Sequence, residues 1–161
     1  HLDHVLGLAW VFDQWGVSPR LHPTDNLTWD QAPRAAELYG VQMDPLPERG
    51  PDLGSHGSQI ACGMHRLEVR CAPGHSAGHV IFVNHEQEWV IGGDVLFQGS
   101  VGRTDLPGGD GAVLAKSIEN QLFKLPDSFE VWPGHGPSTT IGAEKTSNPF
   151  VNAAGSGLLQ R

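Results

Sequence analysis

The sequence predicts a mixed fold of the α/β or α+β class, and three observations predict it. Helix-patterned and strand-patterned segments are interspersed along the chain rather than segregated. Glycine (21) and proline (12) are abundant, which suits a fold of many tight loops better than a helix bundle. Hydrophobic residues are 39% and charged residues 17% of 161 positions, enough for one packed domain over residues 1–161.

The elements follow in order. "HVLGLAWVFDQWG" has apolar residues at helical spacing, and Gly16 is a natural stop. "VSPRLHP" is expected to form a short strand. "TWDQAPRAAELYG" reads as a second helix, with Thr28 and Gln31 as a capping box, Pro33 near its first turn and Gly40 at its end. From Gln42 to Gln59 the chain is rich in Pro, Gly, Asp and Ser and reads as loop. Strands follow in "HRLEVRCA", "HVIFVN" and "EWVIGG". "DGAVLAKSIENQLFKL" is an amphipathic helix with Asp110 as N-cap. "FEVW" is a short strand. "TTIGAEK" opens a last helix, capped by Thr139 and Thr140.

Composition narrows the function. The net charge of −8 argues against a nucleic-acid partner, which needs a basic face. No apolar run approaches the ~18 residues of a membrane span. Cys62 and Cys71 are too few for a disulfide framework and read as reduced thiols. A cytoplasmic protein acting on a small molecule is expected.

The nine histidines carry most of the remaining information. Three segments share one grammar: "LEVRCAPGH" ends on His75, "EWVIGGD" on Asp94 and "FEVWPGH" on His135. In each, a β-prone run meets glycine and then a ligand-type side chain. Glycine allows a sharp turn where the strand stops, so the ligand is presented from a rigid strand end. Strands lying side by side would bring the three side chains to one sheet edge. "HLDH" adds His1, Asp3 and His4 just before a helix. The pooled set of imidazoles and carboxylates, without thiolate, suits Zn²⁺, and also Fe or Mn. Six ligands exceed one tetrahedral ion and suggest two divalent ions sharing a carboxylate. Two such ions outweigh two aspartates and a hydroxide, so the site stays positive on an acidic protein.

These motifs resemble the metallo-β-lactamase superfamily, and within it the glyoxalase II-like (hydroxyacylglutathione hydrolase-like) enzymes. "HLDH" is similar to the last four positions of the family's His-x-His-x-Asp-His signature. "APGHSAGH", "GGDVLFQGSVGRTDLPGGD" and "PGHGPSTTIGAEKTSNPF" resemble its later segments. The resemblance implies an αββα sandwich, here lacking its N-terminal strands and one histidine two residues before His1, so an N-terminally incomplete chain is expected. It implies a first metal on His1, His75 and Asp94, and a second on Asp3, His4, Asp94 and His135. Asp94 bridges, and Asp3 and Asp94 count as catalytic. The activity implied is hydrolysis of a small-molecule thioester by a metal-bridging hydroxide.

Other residues are weighed beside these. Arg103, Lys145 and Asn148 are candidate substrate contacts, with an Arg103–Asp105 pair in a Gly-rich connection as the plainer reading of the first, and helix-surface and turn roles as the plainer reading of the other two. His79 is expected to support the site rather than ligate, and His22, His56, His65 and His85 to lie at the surface. Two rival functions stand beside the hydrolase: a persulfide dioxygenase-like enzyme with one iron, and an inactive fragment of the hydrolase.

Overall fold

A computed structural model of the protein describes residues 1–160. The chain forms two compact units, His1–Leu53 and Gly54 onward.

The first unit is helical. A 3₁₀ turn, Leu2–His4, precedes α1 (Leu8–Trp15), and Gly16 closes α1 in the left-handed conformation. α2 spans Asn26–Tyr39 and ends at Gly40, also left-handed. Its start differs from the expected one. A 3₁₀ turn, Pro23–Asp25, leads straight into it, so Thr28 already lies inside the helix and forms no capping box. The cap comes from His22, whose Nδ1 accepts the Thr24 N–H at 3.3 Å. Pro33 is the eighth helical residue rather than a first-turn one. It deprives the Trp29 carbonyl of its helical donor. The strand expected in "VSPRLHP" does not form. Pro19 and Pro23 supply no N–H, and the segment makes two isolated bonds instead, from Gly50 N to Pro19 O and from Leu53 N to Leu21 O. Arg20 ties the same loop by donating to the carbonyls of Pro51 and Asp52.

The second unit holds the sheet. Its strands are β1 (Gln59–Cys62), β2 (His65–Cys71), β3 (Val80–Asn84), β4 (Trp89–Gly93), β5 (Leu96–Phe97), β6 (Ser100–Val101), β7 (Glu130–Pro133) and β8 (Thr139–Thr140). Six of them form one sheet in the order β1-β2-β3-β4-β7-β8, while β5 and β6 form a separate hairpin. All pairings are antiparallel except β4 with β7. β2, β4 and β7 therefore run in the same direction, and their C-terminal ends share one edge. Of the two layers expected in a sandwich, the described residues contain this sheet and the small hairpin.

One face of the sheet carries Ile81, Val83, Val90 and Val131, all fully buried. Against it pack Leu114 and Ala115 of α3 (Gly111–Ser117) and Ile118 and Leu122 of the π turn that continues it. Asp110 caps α3 as expected, accepting the Val113 N–H at 2.9 Å. Thr140 caps α4 (Ile141–Ser147) by accepting the Ala143 N–H. Thr139 does not cap; its hydroxyl donates to Glu144. Cys62 and Cys71 are free thiols. Among the described residues, no helix is long and apolar enough to cross a membrane.

Candidate metal centre

The loops that follow β2, β4 and β7 are each held by main-chain bonds. After β2, "APGH" is clamped from α3. The Asp110 N–H donates to Gly74 O at 2.8 Å, and the Ser117 hydroxyl donates to Pro73 O at 2.6 Å. After β4 and β7, the Gly134 N–H donates to Gly93 O at 2.8 Å, locking two neighbouring loops together. These loops present His75, Asp94 and His135.

The three side chains converge. Asp94 Oδ2 lies 3.5 Å from His75 Nε2 and 3.4 Å from His135 Nε2. His75 and Asp94 are buried, whereas His135 is open to solvent on one side, with Phe97 edge-on at 6.3 Å between ring centroids. The spacing is long for a charge-assisted hydrogen bond, which closes to about 2.7–2.9 Å. It matches the edge of a tetrahedron around an ion with bonds of 2.0–2.1 Å, which is about 3.3–3.4 Å. The donor set of two imidazoles and one carboxylate also fits divalent metal.

The ring of His75 is already set for ligation. Its Nδ1–H donates to the Arg103 carbonyl at 2.8 Å. That bond fixes the tautomer and leaves the Nε2 lone pair directed at the centre. Arg103 thus contributes its backbone. Its side chain, singled out in the sequence, makes two bonds to the Asp105 carboxylate at 2.7 and 2.8 Å. The guanidinium holds the Asp105 pKa down at about 2, so the pair persists over the ordinary pH range.

In the first unit, Asp3 and His4 lie in the opening 3₁₀ turn. Asp3 Oδ2 is 3.7 Å from His4 Nε2, both side chains are exposed, and His1 is half-buried just ahead of them.

Two of the candidate substrate contacts, Lys145 and Asn148, make bonds within the protein, as their helix and turn reading expects. Lys145 Nζ donates to Leu125 O at 3.0 Å and to Asp127 Oδ1 at 2.6 Å. Asn148 is fully buried. Its Nδ2 donates to Ser100 O and Glu144 Oε2, and its Oδ1 accepts the N–H groups of Phe150 and Val151. Glu144, also buried, further accepts the Gly99 N–H and the Thr139 hydroxyl. This network fastens the β5–β6 hairpin to α4. Asn148→Ala should cost about 3 kcal/mol, because several buried partners lose their bonds at once. Urea unfolding should show the midpoint fall with an unchanged slope.

His56, His65 and His85 lie outside the centre. His85 bonds Glu68 at 2.6 Å, His56 accepts the Cys71 N–H, and His65 lies beside Trp89. What sequence reasoning missed at the centre is backbone: the Arg103 carbonyl, and the space that Gly93 and Gly102 leave open. The dense glycines of "GGDVLFQGSVG" are the available signal.

The family model described as the metallo-β-lactamase superfamily matches residues 1–135. The hydroxyacylglutathione hydrolase GloC of Haemophilus influenzae is 38% identical, over 95% of this chain and 73% of that protein. The crystal structure of TTHA1623 in a di-iron-bound form is similar, with a TM-score of 0.85 and 39% identity. That of the BLEG-1 B3 metallo-β-lactamase has a TM-score of 0.84 and 35% identity. Each alignment covers 94% of this chain and 73% of the other.

Proposed function

The chain belongs to the metallo-β-lactamase superfamily, and from that premise we propose that this metallo-hydrolase cleaves thioesters of the hydroxyacylglutathione kind. The observation that carries the reading is the buried Asp94 oxygen set 3.4–3.5 Å from two imidazoles. The substrate class is supported by the 38% identity to a protein named hydroxyacylglutathione hydrolase.

In this reading His75, Asp94 and His135 would hold divalent ions, zinc in the first instance, and His1, Asp3 and His4 would join them by their match to the family's "HLDH" positions. Bound divalent ions supply Lewis acidity and lower the pKa of water from ~15.7 to about 7. The chain's own residues orient and hold. The Arg103 carbonyl keeps the His75 Nε2 lone pair toward the centre, and burial of Asp94 keeps its charge from being screened by water. A thiol of pKa about 8.5 leaves as thiolate without strong acid assistance, so no dedicated proton donor is needed.

The test uses the chain with any residues its reading frame encodes before His1, loaded in turn with Zn²⁺, Fe²⁺ and Mn²⁺. Lactoylglutathione should be hydrolysed faster than a chromogenic β-lactam, with two ions per chain. Absence of thioester turnover in every loaded form overturns the substrate assignment. One iron per chain with oxygen consumption would favour the dioxygenase-like alternative.

A further inference from the structure

Asp94 follows the last residue of β4, where the sheet ladder ends. Its backbone N–H is taken by a side chain: His79 Nε2 accepts it at 3.0 Å. The same imidazole lies edge-on to His75, with ring centroids 5.9 Å apart and planes at 71°. The His79 main chain is anchored as well, its carbonyl accepting the Ala72 N–H at 2.8 Å. Gly93 makes room for the ring. A Cβ at Gly93 would fall 2.7 Å from His79 Cε1 and 2.8 Å from Nε2, and its φ of +51° is one that side chains rarely adopt. One half-buried ring therefore touches two ligands, His75 and the backbone of Asp94, and the chain gives up a side chain at position 93 to admit it.

We propose that His79 is the positioning residue of the centre, a neutral imidazole protonated on Nδ1 whose unprotonated Nε2 holds the Asp94 backbone and whose edge braces His75. An accepting Nε2 carries no proton, so a neutral ring holds its proton on Nδ1. Such a ring is not a metal ligand through Nε2. It sets the angle at which Asp94 leaves β4 and hence where Oδ2 falls between His75 and His135. A residue that merely fills space would need volume only. A positioning residue needs an acceptor at the distal end of the side chain.

Two full-length variants separate these roles. His79→Gln places an acceptor oxygen near the position of Nε2, whereas His79→Met keeps comparable volume without a strong acceptor. Long-range proton–nitrogen NMR of the wild-type chain should show Nε2 unprotonated. The Asp94 amide should exchange with solvent about tenfold faster in His79→Met, with one hydrogen bond lost. Zinc affinity, measured by chelator competition, should fall by about 10–100-fold in His79→Met and stay within about threefold in His79→Gln. A protonated Nε2, equal losses in the two variants, or undiminished affinity in His79→Met would each overturn the proposal. The affinity measurement rests on the metal-centre reading. If wild type binds no zinc, that reading fails, while the NMR and exchange results still decide the role of His79. Should His79→Met fail to fold, the wild-type tautomer and the His79→Gln variant decide it.

Discussion

Asp94→Asn should lower the chain's affinity for divalent metal by at least about a hundredfold and abolish metal-dependent hydrolysis with it. The floor comes from residues that only orient ligands, whose loss already costs about 10–100-fold in metal affinity. Asp94 is placed to do more, since one of its oxygens faces both His75 and His135 at 3.4–3.5 Å. Asparagine keeps the shape but removes the negative charge. It also replaces one oxygen with an NH₂ group, which donates and cannot ligate. Two imidazoles would then share a neutral amide in a largely buried setting where the charge counts most. Elemental analysis of the purified variant should find it depleted of metal, and chelator competition should give the shift in affinity. The metal-free variant should melt close to the metal-free wild type, because the Asp94 N–H bond to His79 is main-chain and survives. Full metal content in Asp94→Asn would remove the carboxylate from the centre.

The convergence of His75, Asp94 and His135 was legible because residue type and strand direction together mark it. "PGH", "GGD" and "PGH" each close an apolar run, and β2, β4 and β7 do run in the same direction, which brings His75, Asp94 and His135 to one edge. The groups that aim the ligands were not legible. Every residue but proline has an N–H and every residue has a carbonyl, so nothing in "GRTD" marks the Arg103 oxygen as the acceptor for His75. The Arg103 guanidinium was the legible part, and it pairs with Asp105 as the plainer reading of that segment expects. Helix boundaries failed for a related reason. A capping box at Thr28 satisfies the local pattern, but Pro23 starts a turn earlier and wins by position. The β5–β6 hairpin escaped notice because two residues per strand give no periodicity to read. Nothing in "GAEKTSNPF" decides between a cleft and a turn role for Asn148. Only the fold shows the buried Glu144 that needs its donors.

Gly102→Ala should destabilise the second unit by about 3 kcal/mol or more and displace the centre at the same time. Most overpacking substitutions cost about 1–3 kcal/mol, because side chains shift to make room. At Gly102 the obstacle is backbone. A Cβ there would lie 1.9 Å from the Asp94 carbonyl oxygen and 2.9 Å from its carbonyl carbon, with His75 Nδ1 at 3.2 Å. The Asp94 carbonyl lies in the residue that carries the converging carboxylate, so it cannot withdraw without moving that side chain. The 100–103 segment cannot withdraw freely either. Gly102 N–H bonds Val95 O, the Arg103 carbonyl holds His75 Nδ1, and Ser100 O is bonded by buried Asn148. Whichever side yields, a ligand or its support moves. A fall of roughly 12 °C or more in melting temperature is expected from the size of the unit. Metal affinity should fall as well, unlike in a surface variant of equal stability cost. If Gly102→Ala melted normally and bound metal as tightly as wild type, the close approach of this strand to Asp94 would not be part of the centre.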